Sequence, residues 1–279
     1  MKVFVRALNI EPLLDLGADI FTADSKELSK CQKTDFQCIF GEEAPLCNGN
    51  LEKITLLEEL RSTLTEITPE CAKTTIFSPC SLPFISKNGE NIDFVVESFS
   101  NSYKNYVSSA KNPKAKAEKL GASLLIYDFF REKYDRLPPD LRKKENGKPF
   151  FEDFPVEISI SHTDSLVLCA FAEKKERRFS LGIDAEAVPP TEKHPTLNRI
   201  AKKYFEADPL AAELFADISE SDFCDLFTLL WTKKESLVKM TGEGLGGMRS
   251  AFLPDAFQKS YALHSDSKKY YISVSMIFN

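Results

Sequence analysis

Trp231-Thr-Lys-Lys-Glu-Ser-Leu-Val-Lys239 sets an acid and a base one helical turn apart. Glu235 and Lys239 stand at i and i+4, so a helix puts them on one face. Phe227, Leu230, Trp231 and Val238 give that helix an apolar side to bury. Ser219 with Asp222 three residues on marks its start, in a capping-box-like pattern. Gly242 marks its end, where a left-handed residue is favoured. Upstream, Leu181-Gly-Ile-Asp-Ala-Glu-Ala187 reads as a strand whose Asp184 and Glu186, two positions apart, project to the same side. Three carboxylates and one lysine suit a divalent ion that holds a phosphate-bearing substrate.

Each motif alone has an ordinary explanation. An isolated Glu-x-x-x-Lys is a surface ion pair worth roughly 0.2–0.5 kcal/mol. An Asp-x-Glu strand with Leu181 and Ile183 on its other side is commonly amphipathic, with the carboxylates in water. The pair of motifs points elsewhere. Two carboxylates held close repel unless a cation intervenes. Gly182, on the carboxylate side, leaves room for something bulky to approach, and Trp231 borders the helix on buried material.

Outward from these motifs, strands and helices mix without regular β-α alternation, which predicts an α+β fold. Met1 to Ala7 reads as an opening strand, and residues 10–95 as an appended or inserted region with a helix at 51–64. A helical pattern covers 99–133 and stops before Pro138-Pro139. Asn146-Gly-Lys-Pro149 is a tight turn; Val156–Ser161 is a strand, His162–Ser165 a turn, and Leu166–Ala172 a buried strand. Phe179–Ala187 follows, then helices at 197–205 and 209–215, and closing strands at 251–257 and 270–278.

The bulk numbers bound the function. At 279 residues, 43% hydrophobic and 28% charged, the chain reads as soluble and globular, with no run long enough to span a membrane. The N-terminus has no signal-peptide pattern, since Glu11 and Asp15 interrupt it, so a cytoplasmic protein is expected. Residues 1–100 hold 9 Lys+Arg against 16 Asp+Glu; the rest holds 27 against 26. The motif-bearing part is near neutral, which argues against a nucleic-acid binder. Seven cysteines without a Cys-x-x-Cys pair, and three scattered histidines, read as reduced thiols rather than a zinc site.

Three further residues are candidate phosphate contacts: Lys148 in the tight turn, Ser161 at the end of the alternating strand, and His162 beside it. His162 alone is as readily a turn histidine bonded to nearby backbone. The run Lys111, Lys114, Lys116, Lys119 is ordinarily a solvated face, with Lys119 placed to turn inward.

Gly147-Lys-Pro149, Ile158-Ser-Ile-Ser-His162, Gly182-Ile-Asp-Ala-Glu186 and Trp231–Lys239 with Gly242-Glu-Gly-Leu245 occur in that order. Together, from about Tyr103 to the C-terminus, they resemble the Sfp-like 4′-phosphopantetheinyl transferases of the holo-acyl-carrier-protein synthase superfamily. The resemblance implies two similar α+β halves related by a pseudo-two-fold, with coenzyme A bound between them. One half is expected over 1–178, including the unassigned insertion at about 10–95; the other, over 179–279, carries the metal motifs.

The resemblance further implies that Asp184, Glu186 and Glu235 hold Mg²⁺ against the pyrophosphate of coenzyme A. Lys239 contacts the phosphates and assists departure of 3′,5′-ADP, while Lys119, Lys148, Ser161 and His162 hold nucleotide phosphates. Asp184, Glu235 and Lys239 are the expected catalytic residues. The acceptor is the serine of an apo acyl, peptidyl or polyketide carrier protein, in fatty-acid or secondary-metabolite synthesis, and the transferase is expected to be a monomer. Some family members carry a glutamate, proposed as general base, shortly after an Ile-Ala-Lys-(Lys/Arg)-aromatic-Phe segment. Ile200–Phe205 matches that segment, but Pro209 stands at the expected position. Glu235, Asp208, Glu206 or a water on the metal are the open alternatives. A catalytically silent relative that binds coenzyme A or a carrier is the competing reading; without the resemblance, a metal-dependent nucleotide hydrolase is a third.

Overall fold

Strand β6 (Val156–Thr163) and strand β7 (Leu166–Glu173) form a hairpin whose turn is only Asp164-Ser165, with Asp164 at φ 51°. A two-residue turn of this kind extends both strands to its edge, so His162 lies in β6 opposite Val167. The expectation that His162 sits in the turn is corrected. This hairpin belongs to a computed structural model that describes residues 1–10, 33–39, 65–67, 98–174, 178–206, 208–216, 218–249, 255–265 and 268–278.

The chain divides into two compact units, 1–39 with 72–176, and 40–71 with 177–279. In the first, β1 (Lys2–Asn9) and β2 (Lys33–Ile39) join the hairpin in an antiparallel sheet ordered β2-β1-β7-β6. Helix α1 (Asn101–Ser108) ends before Asn112-Pro113, where the Asn112 side chain accepts from Ala115 N at 2.8 Å and starts α2 (Pro113–Tyr134). The single helix expected over 99–133 is therefore two, because a cap and a first-turn proline restart it. From Leu120 to Phe130 every residue of α2 is buried. Phe129 stacks on Phe171 of β7 at 4.0 Å. A short hairpin, β4 (Leu141–Lys143) and β5 (Pro149–Phe151), turns at Gly147 with φ 82°, as the Asn-Gly-Lys-Pro stretch predicts.

The second unit has β3 (Thr65–Ile67), β8 (Phe179–Ala187), β9 (Phe257–Ser265) and β10 (Lys268–Phe278), ordered β3-β9-β10-β8. Helices α3 (His194–Phe205), α4 (Pro209–Phe215) and α5 (Glu220–Thr241) complete it. Ala201, Phe205, Ala211, Phe223 and Phe227 pack the three helices together. Helix α5 starts at Ser219, whose hydroxyl accepts from Asp222 N, and ends at Gly242 in the left-handed region, φ 82°. Strand β9 begins at Phe257, where the sequence suggested a strand ending there. Residues 251–254, the expected helix at 51–64 and most of 10–95 lie outside the described residues. Among the described residues Cys169 and Cys224 are buried free thiols, and no helix is long and apolar enough to cross a membrane.

Candidate metal centre

Strand β8 directs Gly182, Asp184 and Glu186 to one side by simple alternation. Helix α5 lies on that side, and Gly182 is why it comes so close. A Cβ at Gly182 would stand 2.0 Å from the Ser236 carbonyl oxygen and 2.6 Å from the Met240 nitrogen. The space expected there for an incoming group is occupied by the helix's own backbone. One consequence is that residues flanking Ser236 on α5 meet residues just beyond Gly182 on β8.

There the two motifs converge. One oxygen each from Asp184, Glu186 and Glu235 lie within 4.8 Å of one another. Lys239 Nζ stands 2.5 Å from Asp184 Oδ1. Asp184 is buried at 1% exposure, so its carboxylate is not offered to bulk water. Glu186, Glu235 and Lys239 are half-buried. Burial, reinforced by the Asp184 charge and opposed by Lys239, pushes the Glu235 carboxyl up to about 7. Ligand oxygens on one Mg²⁺ lie about 3–4 Å apart at bond lengths near 2.1 Å, so this triad fits such an ion with small side-chain adjustments.

The raised Glu235 carboxyl gives a pH dependence with a definite sign. Its folded-state value of about 7 lies above the ordinary 4.5. Its contribution to stability is therefore full below about pH 4.5 and lost as pH rises through about 7. A metal needs the carboxylate deprotonated, so metal stabilisation grows over the same interval. Melting curves with and without Mg²⁺ should diverge as pH rises from about 5 to 8. An identical gap across the range would refute the assignment of Glu235 as a ligand.

The rest of the helical motif is used on its other sides. Trp231 meets Tyr204 of α3 edge-on at 5.5 Å and stacks on Phe227 at 5.6 Å. Lys234 Nζ donates to the Tyr204 carbonyl at 2.7 Å and lies 4.9 Å over the Phe205 ring. It thereby caps the C-terminal turn of α3, and burial lowers its pKa. Asp208 Oδ1 accepts from Ala211 N at 3.2 Å, the N-terminal cap of α4, while Glu206 is exposed. Of the three carboxyls open as a base, Glu235 alone lies within the acidic cluster. Composition offered no signal for Lys234. Its place one turn before Val238 and beside Glu235 was the clue available.

The four phosphate candidates belong to the other unit. Lys148 is buried with its Nζ 3.1 Å from Glu157 Oε1, and Lys174 binds the second Glu157 oxygen at 2.7 Å. Burial lowers the Lys148 pKa and Glu157 opposes the shift. Ser161 is buried at 1% exposure. His162 is exposed, with Nδ1 3.4 Å from Glu118 Oε1 on α2. Lys119, the next residue of α2, donates to Ser109 Oγ at 2.7 Å and lies 5.2 Å over the Tyr106 ring, with Lys143 at 5.3 Å from the same ring. Burial and the Lys143 charge lower its pKa. Glu118 thus links His162 to the segment of α2 that carries Lys119, while Lys148 is held separately by Glu157.

Residues 180–275 match the family model described as the 4′-phosphopantetheinyl transferase superfamily. The chain is 32% identical to 4′-phosphopantetheinyl transferase Sfp of Bacillus subtilis, over 53% of this chain and 59% of that protein. It is 31% identical to 4′-phosphopantetheinyl transferase gsp of Aneurinibacillus migulanus, over 46% and 48%. With 4′-phosphopantetheinyl transferase HetI of a Nostoc species the figures are 31%, over 37% and 41%. The chain spans about half the length of the curated relatives it matches. The matched region contains β8 from Ser180 onward, α5 and the whole carboxylate cluster. Residues 180–275 are thus similar to the 4′-phosphopantetheinyl transferase superfamily, and about half of the chain is similar to Sfp-type transferases.

Proposed function

We propose that the chain transfers 4′-phosphopantetheine from coenzyme A to a serine of an apo acyl, peptidyl or polyketide carrier protein, releasing 3′,5′-ADP. The observation that carries this reading is the meeting of Asp184, Glu186 and Glu235 beside the Lys239 ammonium. The names of the relatives support it. Asp184, Glu186 and Glu235 would hold Mg²⁺, which when bound neutralises charge on the pyrophosphate oxygens. Lys239 stabilises the charge that develops on the departing nucleotide. The serine Oγ bonds to the β-phosphorus, the bond to the bridging oxygen breaks, and the serine proton passes to a carboxylate. Of the carboxyls open as a base, Glu235 is the one that lies at the cluster.

In the same reading Lys119, Lys148, Ser161 and His162 bind the nucleotide phosphates, and Glu157 orients the Lys148 ammonium. The family's arrangement of two similar halves, a division at about residue 178, an extra N-terminal region, a monomer and a cytoplasmic location belong to this reading too. Incubation with coenzyme A, Mg²⁺ and a panel of apo carriers should add one phosphopantetheine to the carrier, read by mass spectrometry. A panel without any mass gain would refute transfer. Coenzyme A binding without turnover would replace it with the silent relative, for which Pro209 in place of a glutamate and the extra N-terminal region are the motives.

A further inference from the structure

Helix α5 meets its sheet through buried hydroxyls where such a contact is ordinarily apolar. Thr232, Ser236, Ser273 and Ser275 are fully buried. Ser236 Oγ donates to the Lys233 carbonyl at 2.8 Å, so in its 2.6 Å contact with Ser275 it is the acceptor. Ser275 Oγ in turn accepts from Gln258 Nε2 at 2.8 Å, and the same amide reaches the Lys233 carbonyl at 2.8 Å. A second line runs beside the first. Thr232 Oγ1 donates to the Leu229 carbonyl at 2.9 Å and accepts from Ser273 at 3.0 Å, which accepts from Ser260 at 2.9 Å. Each line has one donor direction, from β9 through β10 to a carbonyl of α5, and the two carbonyls are one helical turn apart.

These lines end directly behind the acidic cluster. In the β8–β10 ladder Ser273 is the partner of Asp184, and Ser275 is the partner of Gly182. On the helix, Lys233 and Ser236 bracket Glu235. Apolar contact is non-directional and does not by itself select one register, whereas these hydroxyls are all satisfied in one register. We propose that Thr232, Ser273, Ser275 and Gln258 are positioning residues: the two hydrogen-bond lines index α5 on the sheet and so set the spacing between Glu235 and Asp184. The inference rests on reading the cluster as a divalent-cation site.

The test is Mg²⁺ binding to the full chain by calorimetry, alongside thermal melting without metal. Thr232→Val keeps the shape and removes the hydroxyl; Gln258→Met removes the amide donors at similar size. Both should weaken Mg²⁺ binding about 10-fold, the lower end of what losing a ligand's own hydrogen-bond partner costs, because Thr232 and Gln258 act through the helix. Thr232→Ser, which retains the hydroxyl, should bind as the wild type does. Phe223→Leu, in the apolar contact of α5 with α3 and α4, should lower the melting temperature without that loss. Unchanged Mg²⁺ affinity in both Thr232→Val and Gln258→Met, or a loss that merely tracks melting temperature as far as Phe223→Leu does, overturns the positioning role. Failure of the wild type to bind Mg²⁺ overturns the cation reading, and this inference with it. Should Thr232→Val not fold, Gln258→Met at the half-buried end decides alone.

Discussion

Gly182→Ala is expected to lower the melting temperature by about 6–12 °C and to remove Mg²⁺ binding. The added Cβ meets backbone, at 2.0 Å from the Ser236 oxygen and 2.6 Å from the Met240 nitrogen, and neither atom can rotate away. Restoring ordinary contact requires α5 to retreat from β8 by more than 1 Å. Overpacking of this kind costs about 1–3 kcal/mol, and a backbone collision belongs at the upper end. For a domain of this size about 3 kcal/mol corresponds to the stated shift. The same retreat carries Glu235 and Lys239 away from Asp184, and a misplacement near 1 Å costs about 100-fold in a reaction that depends on alignment. Gly121→Ala is the control. Its Cβ would meet the Ile10 Cγ2 at 2.7 Å, the movable end of a side chain. Its helix also gains roughly 1 kcal/mol from replacing glycine. The two effects nearly cancel, so Gly121→Ala should melt close to wild type. Equal melting of wild type and Gly182→Ala would show that α5 does not rest on this glycine.

The elements that bear the cluster were legible because their signals are local. Alternation in Phe179–Ala187 gave β8 its bounds, and Ser219 and Gly242 gave α5 its ends. The convergence of Asp184, Glu186 and Glu235 followed from spacing plus the resemblance, and their oxygens do meet. Strand β9 was misplaced for a physical reason. Its Gln258 and Ser260 face a buried hydrogen-bonded contact, and a polar residue gives no apolar period whether it faces water or a satisfied interior. The apolar Ala251-Phe-Leu was the stronger lure. Gly182 was singled out correctly as a place of close approach, but the approaching body is a helix about fifty residues further along the chain, which no local pattern names. Lys148 illustrates the same limit from the other side. Its tight-turn setting raises the expectation of a phosphate contact, whereas the partner that shares its burial, Glu157, stands on a separate strand that no local pattern pairs with it.

On the proposed transfer reading, Asp184→Asn should lower Mg²⁺-dependent transfer about 1,000-fold while leaving the metal-free fold as stable as before, or more so. Asp184 is the buried member of the triad, so its charge is the least screened by water and the most costly to hold beside two others. With all three ionised, the cluster holds three negative charges against the single ammonium of Lys239. Asparagine keeps the shape and removes one charge, which relieves the repulsion that helps to raise Glu235. It also weakens the tie to Lys239, whose ammonium is partly exposed and is solvated once released. The two changes offset each other in the absence of metal. With Mg²⁺ they do not. A ligand that binds only the folded state stabilises it by RT ln(1 + L/Kd) at free ligand concentration L, so losing a buried charged ligand should erase the Mg²⁺-induced rise in melting temperature. Transfer to the carrier should fall by about 1,000-fold in kcat/KM, the scale on which removal of one preorganised charge-stabilising group acts. Glu186→Gln, at a half-buried position, should fall less. Melting of Asp184→Asn well below wild type without metal would mark Asp184 as a structural ion-pair partner. A retained Mg²⁺ response would place the cation elsewhere.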